Sequence, residues 1–198
     1  MTTASAWGAK LDEMERKVVE IRTVGIVRGT APLFRRLSRT DCVCVTARHV
    51  RRTLSLLDQG RPADRAAVQV VDLCEELGRI EQVPHGNRDM AAAFQGALWQ
   101  VGAPRAGLLG LGVLALLRAT AAGTAKVRAT DAGQALQYSM DAFAFAAWAD
   151  AVGYPPEKDP SQMSAADRTR IPHHPAFRVP MVALWMEVFR ELRDLAPR

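Results

Sequence analysis

The sequence predicts an all-α fold, a single domain in which about seven to eight helices form an irregular array or bundle around a central helix rich in Ala, Gly and Leu. Apolar residues recur every three or four positions over most of the chain, which is the spacing of one helix face. Alanine, the strongest helix former, is abundant. No segment shows a convincing sheet pattern, so helices account for the whole expected fold.

Caps and helix breakers divide the chain into these helices. Thr40 is predicted to cap the third helix, and the next helix is expected to run from Pro62 to Gly78. Residues 105–122 are apolar almost all round, which indicates the buried central helix. The sequence predicts a further long helix over residues 129–151.

Three glycines lie inside the predicted central helix, at Gly107, Gly110 and Gly112. Each costs about 1 kcal/mol relative to alanine in a helix interior. We therefore expect a neighbouring helix to cross closely at these positions.

The C-terminal quarter is predicted to be less regular. The helical core is expected over about residues 9–151, followed by a proline-rich loop over 153–179 and a final helix over 180–196. Ser164 and Asp167 have the spacing of a capping box, so a short helix inside this segment is the alternative. A loop of such length is usually functional or disordered.

The positive charge is concentrated in the first third of the chain. The net charge is +5, and residues 1–60 hold 11 Lys and Arg against 6 Asp and Glu. The excess lies in the arginine-rich segment 28–52, which contains Arg28, Arg35, Arg36, Arg39, Arg48, Arg51 and Arg52. Such a segment suits an acidic partner or nucleic acid, or it forms a solvated helix face.

Cysteine usage and hydropathy predict a cytoplasmic protein with no membrane span. The start of the chain lacks the pattern of a secretory signal. The longest apolar run, 106–117, is shorter than the roughly 20 residues that cross a bilayer. The three cysteines are an odd number, which indicates free thiols in a reducing compartment.

No motif of a hydrolase, a metalloprotease or a phosphate-binding loop is present, so we expect no catalysis, no cofactor and no metal. The adjacent histidines His173 and His174 are expected in solvent more than at a metal. His49 is flanked by arginines, which is expected to lower its pKa.

Two acidic residues of the predicted helix 129–151, Asp131 and Asp141, are ten positions apart on nearly the same face. They could approach a common groove, but we favour capping for Asp131 and solvent exposure for Asp141. Asp64 and Arg65 follow Pro62, where a carboxylate meets unpaired backbone N–H groups. The interpretation favoured for this pair is that it fixes the turn between two helices.

Two stretches of the chain resemble a known family. The first runs from His49 through the paired arginines to the turn at 62–65 and an Ala-rich helix, and the second, Arg118 to Ala147, is Ala-rich and contains Tyr138. Over residues 45–148 the chain thus resembles a family of all-helical immunity proteins of bacterial polymorphic-toxin systems. The chain departs from that family at Lys126, Arg128 and Asp131, where members tend to have histidines.

The resemblance implies a protein that neutralises one cognate protein toxin by binding it. The basic balance is unusual for an inhibitor of a nuclease, so either the toxin belongs to another class or the contact surface is the acidic part, 61–100, with 6 Asp and Glu against 4 Lys and Arg. The candidate contact residues are Arg51, Arg52, Asp64, Arg65, Asp131, Tyr138, His173 and His174, together with the loop 153–178. The alternative is a DNA-binding regulator that uses segment 28–52, with 40–57 as its recognition helix.

Overall fold

Eight α-helices make up most of the described part of the chain, which comprises residues 3–20, 26–56, 62–79, 104–155 and 163–195 of the computed structural model. The helices are α1 Thr3–Val19, α2 Ile26–Phe34, α3 Arg39–Thr53, α4 Pro62–Gly78, α5 Pro104–Ala121, α6 Ala125–Val152, α7 Ala165–Arg170 and α8 Pro175–Asp194. Short 3₁₀ helices follow α3 at Leu54–Leu56 and α7 at Ile171–His173. These residues contain no strand, and the prediction of an all-α fold is confirmed.

Helices α5 and α6 form the centre of the arrangement. Helix α5 packs against α3, α4 and α6, while the 28-residue α6 packs against α2, α3, α5 and α8. Most of α5 is buried, as its apolar sequence predicts. Alanines fill much of the buried surface of α6, which lets several helices approach it closely.

The close crossing expected at the glycines of α5 is confirmed at Gly112. A Cβ atom at this position would overlap Ser139 Oγ and would lie 3.1 Å from both the Ala135 carbonyl oxygen and the Ser139 backbone nitrogen. Gly110 is also buried, whereas the surroundings of Gly107 fall outside the described part. Gly112 therefore lets the backbones of α5 and α6 meet without an intervening side chain.

The helix starts differ from the predictions where a serine or threonine further upstream provides the cap. Ser38, rather than Thr40, caps α3, because its hydroxyl accepts the Asp41 N–H at 3.0 Å. Thr124 caps α6 by accepting the Val127 N–H at 3.3 Å. Helix α6 thus starts before residue 129, and the prediction that Asp131 caps it is wrong.

The predicted loop 153–179 is largely replaced by α7, the second 3₁₀ helix and the first turns of α8. Helix α8 begins at Pro175, before the predicted start at Pro180, because Pro175 already occupies the first helical position and His174 caps it. Pro180 lies inside the helix. Its ring removes the hydrogen bond to the Ala176 carbonyl and crowds that carbonyl, yet the helix continues to Asp194.

Helix α1 is fixed to α8 by a buried apolar face, by hydrogen bonds and by ion pairs between Arg193 and the carboxylates of Asp12 and Glu15. Trp7, Leu11, Met14 and Val18 are all buried on one side of α1. The Trp7 indole donates its Nε1–H to the Leu192 carbonyl oxygen at 3.1 Å. The two ends of the described chain therefore share one core.

We predict that Gly112→Ala destabilises the protein, because the added methyl group forces α5 away from the backbone of α6. Overpacking of this kind costs about 1–3 kcal/mol, which exceeds the gain of up to about 1 kcal/mol in helix propensity. Urea unfolding measures the change in the free energy of unfolding.

Gly8→Ala in α1 is the matched control, since no atom lies within 4 Å of a Cβ at that position. It gains helix propensity without a clash, so it should stabilise the protein by about 0.5–1 kcal/mol. Equal effects of the two substitutions would contradict the close crossing at Gly112.

Candidate partner-binding cleft

The turn at the C-terminal end of α6 places Tyr154 beside two aromatic rings of the core. Gly153 has a φ of 66°, the left-handed conformation that suits glycine after a helix. Tyr154 then donates its backbone N–H to the Ala149 carbonyl at 2.8 Å. This turn brings the centre of the Tyr154 ring to 5.5 Å from that of Trp148 and 6.1 Å from that of Phe145. The ring centres of Trp148 and Phe145 are 5.2 Å apart.

A cleft of about 590 Å³ lies between this aromatic cluster and the segment that leads into α8. Its volume falls in the range of sites that bind drug-sized groups or protruding side chains. The described residues that line it are Trp148, Val152, Gly153, Tyr154, Pro155, Met163, Ser164, Arg170, Ile171 and His174. We call this site the α6 cleft.

The polar groups of the α6 cleft include two nitrogen donors. Arg170 ends α7 and is exposed to solvent. His174 caps α8 by accepting the Ala176 N–H on Nδ1 at 3.2 Å. Since Nδ1 accepts, the ring proton lies on Nε2, which is therefore a donor. None of the described lining residues is acidic.

His173 belongs to a different site from its neighbour His174. It lines an apolar groove of about 380 Å³ together with Val19, Pro175, Arg178, Val179, Val182 and Ala183. Val19 and Val179 are 48% and 65% exposed in this groove. The two histidines therefore line different pockets, and the described residues contain no group of three His, Cys, Asp or Glu side chains that could hold a metal ion.

Two of the predicted contact residues, Arg51 and Arg52, form ion pairs that join α3 to other helices. Arg51 donates from Nε to Glu75 at 3.0 Å and from a terminal nitrogen to Asp72 at 2.5 Å, which links α3 to α4. Arg52 pairs with Glu187 of α8. Both arginines remain partly exposed, but their charges are balanced by carboxylates within the chain.

Arg39 has a structural position at the ends of two helices. Its guanidinium donates to the carbonyl oxygens of Leu77 in α4 and Thr120 in α5, each at 3.0 Å. A cation near a helix C-terminus satisfies carbonyls that lack helical partners and interacts favourably with the helix dipole. Arg39 therefore holds the ends of α4 and α5 together.

Asp131 and Asp141 do not meet in a common groove. Asp131 is half-buried and lies 3.3 Å from Arg118 Nε of α5, and burial raises the pKa of its carboxyl. Asp141 accepts a hydrogen bond from Gln137 at 2.7 Å, and burial raises its pKa to about 6. The prediction that Asp141 is solvent-exposed is therefore wrong, because the neighbouring helices cover more of α6 than its weak amphipathic pattern indicates.

The remaining predicted contact residues are dispersed. Arg65 is exposed on α4, and Tyr138 is half-buried on α6. Asp64 lies in the first turn of α4, and its side chain falls outside the described part. Of the predicted set, only His174 lines the α6 cleft. The predicted contact loop 153–178 contains Tyr154 and Arg170, but sequence reasoning singled out neither of them, nor Trp148.

His49 is the most deeply buried titratable group of the α3–α8 junction. Its side chain is 2% exposed, and Nε2 lies 3.0 Å from Glu191 Oε2, while Arg48 pairs with the same carboxylate. Burial, followed by the charges of Arg52 and Arg48, lowers the pKa of His49 to about 4. A proton on Nδ1 would be buried without an acceptor, which also favours the neutral ring.

The three cysteines are free thiols. Burial raises the pKa of Cys42 to about 12 and that of Cys74 to about 11, so both are protonated and unreactive. Cys44 is half-buried, and desolvation also raises its pKa.

Comparisons with protein-family models, curated proteins and solved structures give no match to this chain. Among the described residues, no helix is long and apolar enough to cross a membrane.

We predict that His49 makes the protein less stable as the pH falls from about 6.5 to about 4. In this window the unfolded state binds a proton on His49 that the folded state does not, so protonation favours unfolding. The full contribution is about 3 kcal/mol for a pKa lowered to about 4. Chemical unfolding of the wild type near pH 7 and near pH 5 gives the slope.

His49→Gln keeps an N–H donor for Glu191 and removes the titration. The difference in unfolding free energy between the wild type and His49→Gln should shrink as the pH falls. The carboxylates elsewhere in the chain affect both proteins equally. A difference that stays constant with pH would rule out a depressed pKa at His49.

Proposed function

We propose that this chain is an immunity protein that binds one cognate toxin and occludes its active surface, with the α6 cleft in the contact surface. The single observation behind this proposal is the α6 cleft itself, an open aromatic site with an arginine at its edge. Aromatic residues and arginine are the side chains most enriched in protein interfaces and in their energetic hot spots. The resemblance of residues 45–148 to toxin-immunity proteins supports the same function.

The geometry of the aromatic cluster suits protein recognition. Trp148 and Phe145 are each 8% exposed and are fixed by packing, whereas Tyr154 is half-buried. A partner side chain that enters the cleft would meet preformed walls, so little conformational entropy is lost on binding. Occlusion needs no chemistry from the inhibitor, and the proposal assigns this chain no catalytic activity. It also places the protein in the cytoplasm, where free thiols persist.

The alternative, a DNA-binding regulator that uses segment 28–52, has less support. Phosphate binding requires lysines and arginines whose charge is available to the nucleic acid. In this segment Arg39 donates to two carbonyl oxygens, and Arg48, Arg51 and Arg52 pair with carboxylates of α4 and α8. On the proposed recognition helix, Arg48, Arg51 and Arg52 would have to contact a groove of the DNA. They instead hold α3 to α4 and α8.

We predict that co-expression of this chain with the toxin encoded beside its gene restores growth and yields a stable complex. Tyr154→Ala should weaken protection, because loss of a central interface tyrosine costs about 2 kcal/mol or more, about thirty-fold in affinity. Growth curves, co-purification and isothermal titration calorimetry provide the readouts.

Val179→Ser is the control, since Val179 is 65% exposed in the other groove. Its complex should keep the wild-type affinity, and circular dichroism should show that both variants remain folded. A folded Tyr154→Ala protein that protects as well as the wild type would exclude the α6 cleft from the interface. A toxin that stays fully active beside the wild type would overturn the immunity function.

A separate prediction concerns the alternative. Because Arg48, Arg51 and Arg52 pair with carboxylates and Arg39 donates to two carbonyl oxygens, we expect no specific DNA binding in a mobility-shift assay at low or moderate salt. Binding that falls steeply with salt, and that is lost in Arg35→Gln/Arg36→Gln, would instead favour the DNA-binding regulator.

A further inference from the structure

We infer that the α6 cleft binds a loop of a partner protein in which an acidic residue stands next to a large apolar side chain. The inference rests on the proposed function and defines the chemistry of the segment that this site accepts. It follows from the placement of an apolar floor and two nitrogen donors in one cleft.

The floor of the cleft is suited to an aromatic or large aliphatic group. The rings of Trp148 and Tyr154 lie 5.5 Å apart at an angle of 40°, and both residues line the cleft. Ile171 and Met163 supply apolar surface from the segment before α8. Aromatic pairs add about 0.5–1.5 kcal/mol beyond the area that they bury, so an apolar anchor would supply most of the affinity.

The donors of the cleft select a negative charge beside that anchor. Arg170 offers a planar guanidinium that matches the two oxygens of a carboxylate. His174 offers Nε2–H, because its Nδ1 is occupied by the Ala176 N–H. The described residues that line the cleft include no carboxylate that would repel an acidic residue.

The net charge of the whole chain also favours an acidic partner. The net charge of +5 attracts an acidic partner at long range and disfavours the cationic surface of a nuclease. The acidic residues Asp72 and Glu75, which could have contacted a cationic toxin, are paired with Arg51. An acidic loop is therefore the partner that both the cleft and the overall charge favour.

The test uses two blocked dipeptide amides, phenylalanyl-glutamate and phenylalanyl-glutamine, and the intact protein labelled with ¹⁵N-tryptophan. The chain has four tryptophans, and Trp148→Phe identifies the indole signal of the cleft. We expect the glutamate peptide to shift that signal with a dissociation constant in the millimolar range. The glutamine peptide should bind about ten-fold more weakly, since it lacks the charge-assisted hydrogen bond.

The matched variants are Arg170→Gln and Arg168→Gln. Both arginines are exposed on the short helix α7, but only Arg170 lines the cleft. Arg170→Gln should remove the preference for glutamate, and Arg168→Gln should leave it unchanged. Equal binding of the two peptides, an equal loss in both variants, or an unshifted Trp148 signal would each overturn the inference.

A third probe, 3-phenylpropionate, distinguishes a protein loop from a small carboxylate. Binding about ten-fold tighter than that of the dipeptide would indicate a small-molecule site and overturn the assignment to a protein loop. The peptide assay contains no toxin, so it fails independently of the immunity function. Selective binding of the glutamate peptide without toxin neutralisation would keep this inference and overturn only the proposed function.

Discussion

The contact between α5 and α6 at Gly112 is the constraint on which the rest of the structure depends. Because a Cβ at this position would overlap Ser139, the two backbones can approach only while the residue is glycine. This approach buries α5 on most of its surface and leaves the other sides of α6 to α2, α3 and α8. The arrangement uses small residues, mainly alanine, where most helical proteins use large interdigitating side chains.

The central position of α6 also determines where the α6 cleft lies. The helix is 28 residues long, and its C-terminal end reaches the surface with Trp148 and the Gly153 turn. The α3 face of the molecule has a different role, since its arginines pair with α4 and α8 and its histidine is buried against Glu191. Charge in this part of the chain therefore stabilises the fold, and the recognition site that we propose lies at the aromatic end of α6.

Much of this fold could be predicted from the sequence, because helix periodicity and local caps are encoded within a few residues. The limits of α4 and the close crossing at Gly112 followed from Pro62, Gly78 and the cost of glycine in a helix. The start of α8 could not be predicted in this way, because Pro175 and Pro180 both suit the first position of a helix. The cap that His174 provides places the start at Pro175. The cleft could not be predicted either, since it joins Tyr154 to Arg170 and His174 across a segment that was interpreted as a loop. The internal partners of Arg51 and Arg52 depend on tertiary contacts that no local pattern reports.

The most direct test of the central claim is hydrogen–deuterium exchange of the protein alone and in complex with the proposed toxin partner. The account predicts that the added protection on binding is concentrated at residues 148–155 and 163–174, which form the two sides of the α6 cleft. Residues 41–53 of α3 should exchange at the same rate in both states. Protection centred on α3 or α4, with no change at the cleft, would contradict the claim that the aromatic end of α6 recognises the partner.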